Sequence, residues 1–188
     1  MSRAFAFALR TPTRRITVRS AAWDDIEGMA RVSVDTWRLT YKDILPKAYL
    51  ERMRLIRSES QRSRMMLAQG VHHFVAIEPS AGEVVGFVSL GPTRNGGGAS
   101  GEIYELYVQN GYQGRGLGRR LFRAAVDRLA RDGHEKMVVW VLNENPNFNF
   151  YPRMGGWLHD KKSIKVGGKA VDETAYVWRL DRAANSIR

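Results

Sequence analysis

The chain has 188 residues, 44% of them hydrophobic, which suits one core and argues against wholesale disorder. It has no cysteine, so a disulfide framework, a thiolate metal site and an acyl-cysteine intermediate are excluded, and a reducing cytoplasm is the compartment this fits. The formal net charge of +11 is compatible with a polyanionic ligand, but no groove-entering or RNA-stacking motif accompanies the basic groups at 52–64, 115–131 and 161–169, and no apolar run approaches the ~18 residues of a membrane span.

The opening MSRAFAFALRTPTRR is basic and free of acids. It loosely resembles a transit peptide, and a flexible leader over 1–13 is the simpler expectation. Residues 14–182 are expected to form a single domain, with 183–188 as a short tail. Ile16 to Ser20 alternates as a short strand does. Trp23-Asp24-Asp25 opens a helix with Asp24 or Asp25 as N-cap candidate, and its apolar face carries Ile26, Met29, Ala30, Val34 and Trp37. A short helix is expected from Pro46 through Leu50 to Met53, and another over Ser58 to Ala68. Val71–Glu78 and Glu83–Leu90 read as strands joined at Pro79-Ser80-Ala81-Gly82.

Gly91 to Gly101 is glycine-rich and reads as a mobile loop. Glu102–Gln109 is the next strand, followed by a turn at 110–116. The helix after it is marked by Leu117, Leu121, Phe122, Ala125, Val126 and Leu129. Met137–Leu142 is a continuous apolar run, as in a strand buried on both faces. Phe148–Met154 reads as a short helix ended by Gly155-Gly156, and Trp157–Val166 and Ala170–Leu180 as strands paired around Gly167-Gly168. The order predicts an α/β domain of the α+β type, built on a mixed sheet.

The segment Glu102-Ile-Tyr-Glu-Leu-Tyr-Val108 runs through a turn into Gln113-Gly-Arg-Gly-Leu-Gly-Arg119. Glycines at 114, 116 and 118 let backbone N–H groups converge on an anion. The free amides and dipole of the helix's first turn then favour phosphate, and Arg115, Arg119 and Arg120 add charge. A Walker loop is excluded because Leu117 follows Gly116, and a dinucleotide fingerprint because Arg119 stands where its third glycine should be.

Gln113-x-x-Gly116-x-Gly118 after a strand ending Leu106-Tyr107-Val108 resembles the coenzyme A loop of the GNAT superfamily of N-acetyltransferases. Val138-Val-Trp-Val-Leu-Asn-Glu-Asn145 with Phe148-Asn-Phe-Tyr-Pro-Arg-Met-Gly-Gly156 is similar to that superfamily's next strand and Phe-Tyr helix. It departs from the usual pattern by being about one residue shorter and by placing Pro152 after the tyrosine. Trp37-x-x-x-Tyr41 with Ile44-Leu45-Pro46 and Tyr49-Leu50 resembles a bacterial subgroup that includes polyamine acetyltransferases.

The resemblance implies a central, mostly antiparallel sheet flanked by helices, acetyl-CoA as co-substrate, no metal, and acetyl transfer to a primary amine. The acceptor would be a small molecule, polyamine-like or other, or a protein N-terminus. A second copy of the chain is a further candidate partner, and no membrane is expected. The resemblance assigns main-chain groups of Leu106, Tyr107 and Val108 to the pantetheine arm. It places Gln113, Gly114, Arg115, Gly116, Leu117, Gly118 and Arg119 at the phosphates, and Asn143 or Asn145 at the coenzyme. Tyr151 becomes the group that protonates the departing thiolate.

An alkylammonium has a pKa near 10.4, so it must lose a proton before attack, and a carboxylate can take it. Glu105 and Glu102 are the candidates, with Glu105 favoured by position. Their odd spacing predicts opposite faces of the strand. Asp35, Asp43 and Glu51 could supply acidic walls for a cationic acceptor. Trp37 and Tyr41, one helical turn apart, could line the acceptor cleft or pack in the core. Trp140 and Trp178 are expected in the core. His72 and His73 should point to opposite faces rather than share a metal. The competing class is a non-catalytic module that binds acyl-CoA or nucleic acid.

Overall fold

The computed structural model describes residues 15–52, 71–94 and 98–181. Seven strands form one sheet: β1 (Thr17–Ser20), β2 (His72–Glu78), β3 (Glu83–Pro92), β4 (Gly101–Val108), β5 (Lys136–Leu142), β6 (Trp157–Val166) and β7 (Lys169–Arg179). The spatial order is β1-β2-β3-β4-β5-β7-β6, and every neighbouring pair is antiparallel except β4 with β5. The helices are α1 (Ile26–Tyr41), α2 (47–52), α3 (Leu117–Arg131) and α4 (Phe150–Arg153). This is the mixed sheet that the element order predicts, mostly antiparallel and flanked by helices as the family resemblance implies. Residues 1–13 and 183–188, the end of the second helix at Met53, and the helix expected over Ser58–Ala68 lie outside the described residues.

Apolar spacing decides which helix covers which face. In α3, Leu117, Leu121, Phe122, Ala125, Val126 and Leu129 recur at helical intervals and are buried against Val88, Leu90, Ile103 and Val139. On the opposite face, Met29 and Val32 of α1 pack on Val75, Val84 and Phe87. Farther along, Val34, Tyr41, Leu45 and Leu50 cover Leu142, Val166 and Val171. The sheet is thus buried on both sides where the three central strands cross, which is why β3 and β5 read as near-continuous apolar runs.

α1 is entered through a 3-10 turn at Trp23–Asp25. Asp25 precedes the first α-helical residue, but its carboxylate reaches back to the Ala22 N–H (2.6 Å) and the Arg19 guanidinium (2.6 and 3.0 Å). β3 extends two residues beyond its expected end, to Pro92, and the base of the following loop is closed by Thr93 N–H donating to Ser100 O (2.9 Å). Ala99 in that loop is buried against Val138 and Ala175. Its described ends are therefore anchored to the sheet.

Candidate active site

β4 and β5 pair only at Gly101–Met137, Glu102–Val138 and Ile103–Val139. Beyond Ile103, β4 stays on β3 while β5 stays on β7, so the two parallel strands part like a fork. The divergence starts at a β-bulge. Glu105 faces Ser89 and Ile103 faces Leu90, which leaves Tyr104 as an extra residue in β4. A bulge bends and twists its strand, and this one falls where pairing with β5 stops. The result is a cleft of about 240 Å³ reaching between the strands. Glu105, Leu106 and Tyr107 of β4 line it on one side, and Val139, Trp140, Val141 and Leu142 of β5 on the other.

The bulge also changes the side on which the glutamates stand. Simple alternation predicts opposite faces for Glu102 and Glu105, but the extra residue restores the phase. Glu102 sits in register with Val138, and Glu105 with Ser89, both on the α1 face, while Ile103 packs under α3. Both carboxylates line the cleft and both are buried. Their surroundings differ. Glu102 accepts from Arg94 N–H (2.9 Å), Nε (3.2 Å) and Nη2 (2.5 Å), so both its oxygens are engaged. Arg94 in turn lies 4.4 Å from the centre of the Tyr104 ring. Glu105 receives the Ser89 hydroxyl at 3.4 Å, and Ser89 Oγ lies 2.8 Å from His73 Nδ1.

Tyr151 reaches the cleft from the other side. α4 seats it among Met154, Tyr176 and Trp178 in the core beneath α3, with its ring stacked on Tyr176 at 6.1 Å. Burial, reinforced by the neighbouring Tyr107 phenol, pushes the Tyr151 hydroxyl well above its usual pKa, so it keeps its proton. On the α1 side, Trp37 Nε1 donates to Tyr107 Oη (2.7 Å), and Trp37 packs on Tyr41 at 4.9 Å. Trp37 and Tyr41 therefore serve both core and cleft. Asn145, beside Tyr41, also lines the cleft. Asn143 is turned away, its Oδ1 accepting from Thr174 Oγ1 of β7 (2.8 Å).

The glycine turn closes the far end. Gln113 Nε2 donates to Val108 O (2.9 Å), tying the turn to the end of β4. Gly114 and Gly116 have φ of 72° and 77°, a left-handed conformation that costs other residues about 1–2 kcal/mol. Open space surrounds both where a Cβ would stand. Gly116 caps α3, whose first amides, at Leu117, Gly118 and Arg119, point past the end of the helix. Leu117 is buried as an anchor, whereas Arg115 and Arg119 are exposed. These features suit a pyrophosphate, the anionic group that acetyl-CoA carries.

Several expectations change. Asp43 and Glu51 are exposed away from the cleft, and Asp35 borders a separate hollow with Arg38 and Gln109. The acidic lining comes instead from Glu102, Glu105 and Glu173 of β7. Glu173 escaped the sequence reading because it belongs to a strand that only the β5-β7 pairing brings here. Trp178 is core, but Trp140 is half-buried on the cleft wall under Lys162. His72 meets Asp132 at 3.1 Å, near α3, while His73 meets Ser89 on the opposite face, as adjacent strand residues should.

The chain thus brings together a forked parallel pair, a glycine turn capping a helix, and a cleft lined by two carboxylates of β4 and a phenol of α4. The chain belongs to the acetyltransferase (GNAT) family, whose model matches residues 28–156, and is an N-acetyltransferase. It is 34% identical over 165 residues to the uncharacterized N-acetyltransferase YuaI of Bacillus subtilis strain 168, covering 87% of this chain and 92% of that protein. Its fold matches the PaiA N-acetyltransferase of Thermoplasma acidophilum in complex with coenzyme A (TM-score 0.70, 18% identity, 88% of this chain and 99% of that one). It also matches YncA of Salmonella typhimurium with acetyl-CoA (TM-score 0.67, 23% identity, 89% and 95%).

Proposed function

We propose that the protein acetylates a primary amine of a small molecule by direct attack, with Glu105 as general base and Tyr151 as the proton donor to the leaving sulfur. The observation that carries this reading is the fork itself, which has Glu105 on its α1 side and Tyr151 on its α3 side. Acetyl-CoA supplies an activated acyl thioester. The glycine turn and the α3 N-terminus hold its phosphates through main-chain N–H groups, and Asn145 and the β5-facing edge of Leu106–Val108 hold its arm.

The acceptor enters from the α1 side, past Trp37 and Tyr41. Glu105 takes a proton from the ammonium, which frees the nitrogen lone pair. Glu102 is the poorer base because Arg94 occupies both its oxygens; its role is to fix Arg94 and the loop base beside the acceptor. Main-chain N–H groups at the fork stabilise charge developing on the acyl oxygen, an effect worth about 3–4 kcal/mol per donor in comparable sites. The buried Tyr151 phenol donates to the sulfur as the carbon–sulfur bond breaks. Steady-state thiol release across an amine panel, with Glu105→Gln and Tyr151→Phe, tests the assignment. Unchanged kcat in both variants, with chemistry rate-limiting, would overturn it.

A further inference from the structure

On the α1 face, cross-strand register places Leu142, Glu173 and Lys162 in one row, with Trp140 and Ala175 opposed in the next. Lys162 Nζ lies 3.7 Å from the centre of the Trp140 ring and 3.2 Å from Glu173 Oε1. Trp140 and Glu173 both line the acceptor cleft, together with Glu102, Glu105 and Tyr151. An indole face and a carboxylate that converge on one point are the two groups that best hold an ammonium away from water. An ammonium occupies that point in the structure, and it belongs to the chain itself.

The two halves of this pair are unequally committed. The Glu173 side chain is 12% exposed, so its charge needs a cation beside it. Lys162 is 36% exposed on a flexible four-carbon stem, so its ammonium can swing into water at little cost. The fixed partner is thus the anion, and the cation is replaceable.

We propose that Trp140 and Glu173 form a second ammonium subsite of the acceptor cleft, which takes the distal ammonium of a diamine, and that Lys162 holds this subsite until the acceptor displaces it. The proposal rests on the N-acetyltransferase reading of the cleft and names its substrate class. The two amino groups of the acceptor then meet different fates. One loses its proton to Glu105 and is acetylated. The other stays charged against Glu173 and sets the first in place. The net charge of +11 would repel such an acceptor at long range, but the cleft presents Glu102, Glu105 and Glu173 locally.

The test compares 1,4-diaminobutane with n-butylamine on the full chain with acetyl-CoA, read as the ratio of kcat/KM values. Wild-type protein should favour the diamine about tenfold or more. Glu173→Gln should bring the ratio close to one, and Lys162→Met should raise it several-fold by removing the internal competitor. Should Glu173→Gln fold poorly by circular dichroism, Lys162→Met, which alters a partly exposed side chain, decides alone. A ratio near one in the wild-type protein, or a ratio unmoved by Lys162→Met, overturns the subsite while leaving amine acetylation intact. Absence of turnover with either amine and a wider panel, in protein that binds acetyl-CoA, would instead remove the enzymatic reading on which the subsite depends.

Discussion

Glu105 and Glu102 are chemically identical and separated by a short stretch of one strand, so their roles are set by what surrounds their oxygens. Glu102→Gln should leave most of kcat and chiefly raise the acceptor KM, because it loosens Arg94. Glu105→Gln should lower kcat by about 10²–10⁴-fold with acetyl-CoA affinity preserved, the usual cost of losing a positioned base; paired kinetics and calorimetry separate the two. A third carboxylate, Asp25, serves the fold. Burial pushes its pKa up, but the Arg19 guanidinium and the Ala22 N–H outweigh that and hold it below the usual carboxylate range. A depressed folded pKa contributes stability above the unfolded value of about 4 and loses it as pH falls through the folded one. Asp25→Asn should therefore cost about 1 kcal/mol at pH 7, discounted for the half-exposed Arg19, and progressively less below pH ~4 in urea melts.

Helices, turns and strands were largely legible, because each is written in local spacing. The α3 stripe, the alternation of the outer strands and the Gly167-Gly168 hairpin needed no tertiary information. The Tyr104 bulge was not legible: no glycine or proline marks it, and only pairing with β3 reveals the extra residue. The phase of the two glutamates was misread for that reason. The glycines are testable at this scale. Gly116→Ala forces a left-handed alanine at the α3 cap and should cost about 1 kcal/mol in thermal melts and weaken coenzyme binding by calorimetry. At Gly156 a Cβ would overlap the Trp178 ring, which is buried and hydrogen-bonded to Met154 O (2.9 Å). Gly156→Ala should destabilise by about 1–3 kcal/mol through overpacking.

Across the whole molecule, the site draws on α1, β4, the glycine turn, β5, α4 and β7, elements from nearly the full described length. The glycine turn and the start of α3 were legible because they are contiguous in sequence. The acceptor half was not: Trp140, Glu173 and Lys162 meet only through β5-β7-β6 pairing, and their spacing in sequence carries no period. The net charge of +11 acts on the same scale. Long-range attraction of the polyphosphate is screened beyond about 10 Å at 0.1 M salt, so the KM for acetyl-CoA should rise several-fold between low and high ionic strength.

Tyr104 separates two properties that are otherwise hard to pull apart. Shortening the chain by that one residue would leave Glu105 against Ser89 and Ile103 against Leu90, so each carboxylate would keep its heading. It would also straighten the bend that peels the strand from its parallel neighbour, letting the edges zip together where the thioester has to lie. Such a protein would retain the carboxylate proposed as proton acceptor and lose the room proposed for the donor of the acyl group.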